Sequence, residues 1–366
     1  MMEKNQYDFT VAIRAYNAAK RLPDIIDKLK VQEGTAEINW EIIIVDNNSK
    51  DNTAQIIANY QFNWQEKFPI KYFLEPQQGA SIARKTAMEK AQGTYVGFLD
   101  DDNLPAPDWV AQAYAFAKLH PQAGAYGGQI HGEFEVEPPK NFKKIAPYLA
   151  IIERGKKAFS YNEHKKKVLP PGAGIVISKK AWLENVPKNL FLTGPAGKSL
   201  ALKGEDIEIL SHIQNAGWQI WYNPEMHIYH QIPHWRLERN YLVSLVSGSG
   251  LHRNHIRMMR LKLWQKPLGF LAYLVNDSRK ALFYFIKNYS LLKTDTVAAC
   301  EMALLLSILV SPFYLWKVQL LRKMALVNQA MKSKFVKYKM LLNWELDNRH
   351  FHRNYGQNYQ HHKHIN

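Results

Sequence analysis

Thr94-Tyr-Val-Gly-Phe-Leu-Asp100-Asp101-Asp102-Asn103 is an apolar run that closes on three adjacent carboxylates. Its bulky β-formers read as a strand, and the acidic triplet falls at the strand's carboxyl end. The same arrangement recurs upstream. Glu41-Ile-Ile-Ile-Val-Asp46 is nearly continuous in apolar residues and also ends in a carboxylate, the mark of a strand buried on both faces. Residues 9–15 and 70–74 read as two further strands. Helical patterns lie between them. Leu22, Ile25, Ile26 and Leu29 mark one face of a helix over 22–32; residues 51–60, 79–91 and 108–119 give three more, the first with Asn48 or Ser49 available as its cap. Such strand–helix alternation predicts an α/β fold with a mostly parallel sheet flanked by helices. Ligands of these sheets sit outside the carboxyl ends of the strands, so Asp46 and Asp100 are expected at one edge.

The rest of the chain is less regular. Residues 124–134 read as a strand pair, 170–178 as a turn into a strand, 193–203 as a mobile loop and 204–215 as a helix. Short strands are expected at 218–222 and 226–229, around Asn223-Pro224. Beyond about residue 235 the pattern is helical. A length of 366 residues fits one catalytic-sized domain with an appendage. The expected division is 1–245, a helical appendage at 246–345 and a flexible polar tail at 346–366. The tail's His361-His362-Lys363-His364 is a site of adventitious metal binding at most.

Composition narrows the function classes. At 46% hydrophobic and 22% charged residues, the chain can build a sizeable core. The single cysteine, Cys300, excludes an intrachain disulfide and a cysteine-based zinc site, and the first residues, MMEKNQYDF, show no apolar segment of a secretory signal. The net charge of +16 is uneven: residues 1–250 carry 29 Lys+Arg against 27 Asp+Glu, and residues 251–366 carry 19 against 5. A basic appendage points to an anionic surface. Met302–Trp316 holds no charge, and Lys317, Arg322 and Lys323 follow it. Glu301 and Pro312 interrupt the apolar pattern, which leaves three readings open: a membrane-spanning helix, an interfacial helix, or a core or oligomer helix.

Five constellations carry chemistry. Asp46 suits hydrogen bonds from a ribose or a base N–H, or equally a helix cap. Asp100, Asp101 and Asp102 repel one another, and a divalent cation such as Mg2+ or Mn2+ would relieve that cost. Glu205 and Asp206 open a helix after a glycine, where a carboxylate can serve as general base or as a cap. Gly79-Ala-Ser-Ile-Ala-Arg84 at a helix start, with Arg14 near the first strand's end, suits phosphate. His230 closes a strand within reach of a metal or a diphosphate, with Arg236 close behind.

Taken in this order, these residues resemble the family 2 inverting nucleotide-sugar glycosyltransferases, whose fold is of the GT-A type. The resemblance spans roughly residues 8–245. It is most specific at the strand ending in Asp46, the Asp-x-Asp of Asp100–Asp102 and the pair Glu205–Asp206. It implies that Asp46 and Asp101, with Arg14, Asn48, Arg84 and Arg236, bind the nucleotide-sugar. Asp102, with Asp100 and His230, would hold Mg2+ or Mn2+, and Asp206, beside Glu205, would act as base. The implied donor is a nucleotide-diphosphate sugar, UDP-linked. The implied acceptor is a lipid-linked or growing saccharide at the cytoplasmic face of an anionic membrane. Two motifs depart from the family pattern. Arg14-Ala15-Tyr16-Asn17 stands where the family has Pro-x-Tyr-Asn, and Gln231-Ile-Pro-His234-Trp235 lacks the arginine of the processive Gln-x-x-Arg-Trp. Within the family the chain looks most like the exopolysaccharide type, including transferases of hormogonium polysaccharide.

Two other classes fit parts of the sequence. A nucleotidyltransferase making nucleotide-sugars would carry a Gly-rich basic loop straight after the first strand, and residues 14–20 contain no glycine. A basic nucleic-acid binder would explain the C-terminal third. Carboxylates at three successive sites would repel its phosphates, so no nucleic-acid partner is expected.

Overall fold

The computed structural model describes residues 6–163, 168–194 and 203–324. Its frame is one sheet. The N-terminal half alternates β1 (Tyr7–Ala15), α1 (Leu22–Lys30), β2 (Trp40–Asp46), α2 (Thr53–Phe62), β3 (Ile70–Leu74), α3 (Ala80–Lys90) and β4 (Gly93–Asp100). The short β5 (Asn103–Pro105), α4 (Trp109–Leu119), β6 (Ala123–Phe134), β7 (Phe159–Ser160), β8 (Val176–Ser178), α5 (Lys179–Asn185), α6 (Glu205–Asn215) and β9 (Gln219–Ile232) complete it. The strand order is β3-β2-β1-β4-β8-β6-β9-β5, with β7 on β9. β1 runs parallel to both β2 and β4, and β2 parallel to β3. Arg14 lies opposite Asp100 and Ala15 opposite Asp46, so register alone brings the strand-end charges to one edge.

Alternation along β1 and β2 divides the core between two faces. Val11, Ile13, Ile42 and Ile44 meet Leu22, Ile25, Ile26 and Leu29 of α1 and Trp109 and Val110 of α4. Ala12, Ile43 and Val45 face the other way, onto Ala83, Ala87 and Met88 of α3 and Ile209, Leu210 and Ile213 of α6. Both sides are closed, which is why Glu41-Ile-Ile-Ile-Val-Asp46 has no polar alternation.

Helices α7 (Arg239–Leu251), α8 (Arg253–Met259), α9 (Lys266–Asn288) and α10 (Thr296–Met324) follow the sheet. Leu242, Leu245 and Val246 of α7 join Phe142, Ile145, Leu149, Val297 and the buried Cys300 in a third cluster. The chain divides after Pro312 into two compact units. The described part of the second is the end of α10, residues 313–324.

Several expectations are corrected. Residues 124–134 form one long strand, β6, because its pairing with β9 runs in parallel from Ala123 to Phe134. The two short strands around Asn223-Pro224 are likewise one strand, β9; the proline sits at a register shift instead of breaking it. Neither Asn48 nor Ser49 caps α2. The cap position falls on Asn52, whose side chain makes no capping hydrogen bond; Asp51 before it accepts a hydrogen bond from the Thr53 N–H at 3.1 Å, and Ser49 Oγ accepts from the Asn17 N–H.

Gly97 of β4 is where Phe9 and Trp109 close over the sheet. A Cβ there would lie 2.6 Å from the Trp109 ring and 2.8 Å from the Phe9 ring. Gly97→Ala should therefore destabilise the fold by about 1–3 kcal/mol through overpacking, measured as a lower urea midpoint at unchanged slope.

Candidate active site

Each carboxylate of the acidic triplet is met by a different arginine. Asp100 pairs with Arg14 of β1. Asp101 pairs with Arg21 at 2.7 Å. Asp102 accepts from Arg236 Nη1 at 2.8 Å and from Asn103 Nδ2 at 2.9 Å, and His230 Nε2 lies 3.2 Å away. Burial pushes the Asp101 carboxyl up to about 6 against the pull of Arg21. Burial acts the same way on Asp102, but His230 and Arg236 outweigh it and hold the group well below the usual carboxylate range.

Arg14 also reaches across the sheet edge. Its Nη1 donates to the Ala80 carbonyl of α3 at 3.3 Å and lies 3.7 Å from Glu205 of α6. Arg84, whose sequence position also allowed an exposed helix charge, is 1% exposed. It stacks 4.9 Å over the Phe98 ring, 4.0 Å from Glu205, with Nε and Nη1 unpartnered. Burial and the Arg14 charge push it down to about 10. Glu205 thus sits between two guanidinium groups; burial and the neighbouring Asp206 nonetheless raise it above its ordinary value.

Asp206 stands at the start of α6. Its Oδ2 accepts the Gly172 N–H at 2.7 Å and its Oδ1 the Ile207 N–H at 2.8 Å. Gly204 before it takes a left-handed φ of 96°, and a Cβ there would lie 3.0 Å from the His252 ring. Burial pushes His252 down to about 4 despite the Asp206 charge. Lys203 is pushed down to about 8 by burial and by Arg236, against Glu205 and Asp206.

Asp46 is 2% exposed. Its oxygens accept the Ser49 N–H at 2.9 Å and the Tyr72 hydroxyl at 3.0 Å. The capping and ligand readings therefore coexist, since each carboxylate oxygen keeps a second lone pair. Asn48, at a left-handed φ of 61°, donates to the Pro76 carbonyl. The start of α3 is less open to an anion than its sequence suggests. Gly79 N–H donates to Asn47 Oδ1 at 2.8 Å and Ser81 N–H to the Thr193 carbonyl at 3.2 Å.

Residues 191–194 lie over this edge. Glu208 accepts the N–H groups of Phe191 and Leu192 at 3.0 and 2.7 Å, and His255 Nε2 lies 3.1 Å from the same carboxylate. A Cβ on Gly194 would meet the Glu205 carboxylate at 2.8 Å. The remainder of the expected mobile loop, 195–202, lies outside the described residues.

Among the described residues no group of three or more His, Cys, Asp or Glu side chains is gathered tightly enough to hold a metal. Asp102 and His230 converge as a pair, and Arg236 Nη1 lies 2.8 Å from Asp102 and 3.1 Å from His230. Asp100, expected beside them, turns to Arg14, because β1 and β4 are neighbours in register. The Asp102 carboxylate fits Mg2+ or Mn2+ in the mode where one or two carboxylates are completed by substrate phosphates; the His230 nitrogen is a less typical donor for these ions. Sequence reasoning missed Arg21, Tyr72, Lys203, Glu208, His252 and His255. Arg21 and Lys203 adjoin motifs already singled out; the histidines are over forty residues from their partners and carry no local signal.

Residues 10–184 match the model of glycosyl transferase family 2. TuaG of Bacillus subtilis, a glycosyltransferase assigned provisionally to teichuronic acid biosynthesis, is 38% identical over 94 residues, 26% of this chain and 35% of its own. The dolichyl-phosphate beta-glucosyltransferase ALG5A of Trichomonas vaginalis is 32% identical over 156 residues, 40% of this chain and 48% of its own. The chain thus spans from about a third to about half the length of these relatives. The mannosyltransferase PcManGT of Pyrobaculum calidifontis shares the fold, with a TM-score of 0.54 over 86% of this chain and 89% of that one at 16% identity. Asp206 lies beyond the matched residues.

Glu208→Ala should release the segment it anchors. Hydrogen bonds to a charged group contribute about 1.5–3 kcal/mol. The amides of Phe191 and Leu192 should exchange with deuterium about tenfold faster or more, with β2 amides unchanged.

Proposed function

Residues 10–184 are a family 2 glycosyltransferase domain, and from that premise we propose that the chain transfers a sugar, with inversion, from a nucleotide-diphosphate sugar to an acceptor hydroxyl. The observation that carries this is Asp206 at the start of α6, held by the Gly172 and Ile207 N–H groups, on the edge where Arg14 links Asp100 to Glu205. A helix N-terminus stabilises negative charge. A carboxylate fixed there can take the proton of an acceptor hydroxyl as its oxygen attacks the anomeric carbon opposite the leaving diphosphate. One base suffices, because the leaving group needs neutralising more than protonating.

The cations of the site serve the diphosphate. Arg14, Arg84, Arg236 and Lys203 all lie within the charge network around Glu205, Asp206 and Asp102. Arg84 retains two unpartnered nitrogens. Asp46, Asn48 and Asp101 line the nucleoside side, Asp46 sharing its remaining lone pairs with a ribose or base. Asp102 and His230 would hold Mg2+ or Mn2+, which supplies charge neutralisation at the departing diphosphate. The mannosyltransferase of like fold was solved with GDP-Man and Mn2+, a donor and an ion of these classes.

In this reading residues 1–245 hold the chemistry and 246–345 attach it to a membrane, where a lipid-linked or growing saccharide supplies the hydroxyl. Helix α10 supports the attachment. Among the described residues it alone is long and apolar enough to cross a bilayer, with 28% of its most apolar window buried. The flanking Lys317, Arg322 and Lys323 suit a cytoplasmic face.

Asp206→Asn should lower transfer by about 10²–10⁴, the range of a lost general base, with nucleotide affinity kept. Near-normal turnover by the folded variant would remove the assignment. Lys203 loses its charge as pH rises through about 8. Nucleoside-diphosphate affinity, measured by calorimetry, should weaken between pH 7 and pH 9 in the native chain and stay level in Lys203→Gln.

A further inference from the structure

Helix α9 buries only Asp277 and Ala281 of its 23 residues. Leu268, Leu271, Val275, Leu282 and Ile286 recur at three-, four- and seven-residue intervals, which places them on one stripe. All five are exposed, from 56% at Leu271 to 70% at Val275. Trp264 just before the helix and Tyr289 just after it continue the stripe and are also exposed. At 1.5 Å per residue the helix is about 34 Å long. Lone exposed apolar residues need no explanation; a repeated apolar stripe of this length, broken once by Arg279, marks a contact surface.

Charge decides what it contacts. Exposed Arg279 falls within the stripe, between Val275 and Leu282, and exposed Lys280 and Lys287 lie to one side of it. The one acidic residue of the helix, Asp277, is buried against Arg257 of α8, which also stacks 4.5 Å from the Tyr273 ring. The outward face therefore presents apolar side chains and cations, with no exposed carboxylate from its own helix. A second copy docking through the same face would set like charges against each other, since a two-fold interface pairs a patch with itself. A bilayer bearing anionic headgroups complements both features. Asn276–Lys280 makes the helix too polar at its centre to span, and among the described residues only α10 meets the length and hydropathy for that.

We infer that α9 lies flat in the headgroup region of an anionic bilayer, its Leu268–Ile286 stripe in the acyl boundary and its cations on the lipid phosphates. Tyr284 of α9 donates to Glu301 of α10 at 3.0 Å, so the first part of α10 lies beside α9. A flat α9 would set the height and tilt of the sheet edge above the membrane. The inference deepens the membrane part of the proposed function and borrows none of its chemistry.

The test uses the full chain carrying one environment-sensitive fluorophore. Cys300 is buried, so a label goes to the introduced thiol of Leu271→Cys or Ile286→Cys. The exposed Glu89→Cys on α3 is the control. Vesicles of mixed phosphatidylglycerol and phosphatidylcholine should raise and blue-shift emission several-fold at 271 and 286 and leave 89 unchanged. Lys280→Glu with Lys287→Glu, or high salt, should reduce that response. No response at 271 and 286 would overturn the inference, as would equal response to pure phosphatidylcholine. So would labels already shielded before vesicles are added, or shielded by rising protein concentration alone, since these identify the chain's own tail or a second copy as the occupant. Donor turnover is scored separately, so a failed transferase reading leaves this result standing.

Discussion

Three consecutive carboxylates at the end of a buried strand repel one another, and a cation beside each offsets that cost. The protein solves this with three arginines from three places: Arg14 on β1, Arg21 beyond it and Arg236 after β9. Because Asp100, Asp101 and Asp102 point to different partners, the triplet works as a junction more than as a cluster. It ties the first strand, the segment leading into α1 and the far end of the sheet to one turn. Buried pairs of this kind are worth little as net stability, since desolvation offsets attraction, but removing one partner strands a charge.

The second half of the site is assembled by close backbone approach. Gly172, Gly194 and Gly204 each leave room that a Cβ would fill, against Arg84, the Glu205 carboxylate and the His252 ring respectively. Gly194 and Gly204 also take left-handed φ values. Close backbone approach thus packs against both Glu205 and Asp206, which suits the acid–base chemistry proposed for them.

The parts legible in the sequence are those set by local pattern. Ile42–Val45 announced a doubly covered strand, and Leu22, Ile25, Ile26 and Leu29 a helix face. Strand ends then placed Asp46, Asp100 and Arg14 at one edge without any contact being known. What stayed hidden depends on distance along the chain. Asp100 and Asp102 are two residues apart, yet they part because register pulls one toward Arg14 and β9 brings His230 to the other. The proline of Asn223-Pro224 looked like a breaker, and a register shift in the β6–β9 pairing absorbs it. The inward turn of Arg84 was likewise invisible, because nothing in α3 shows which face Gly172 and Phe98 will cover.

His252 and His255 of the α7–α8 corner press on α6 from outside the sheet, one against Gly204 and the other against Glu208 with Phe191 stacked 4.6 Å away. The wall that carries Glu205 and Asp206 is therefore braced by residues that a boundary drawn at the end of the α/β pattern would cut off. Trimming the chain there would yield a protein with an intact sheet and an unsupported keystone. The smallest piece that keeps its working face is set by this buttress and extends at least through α8.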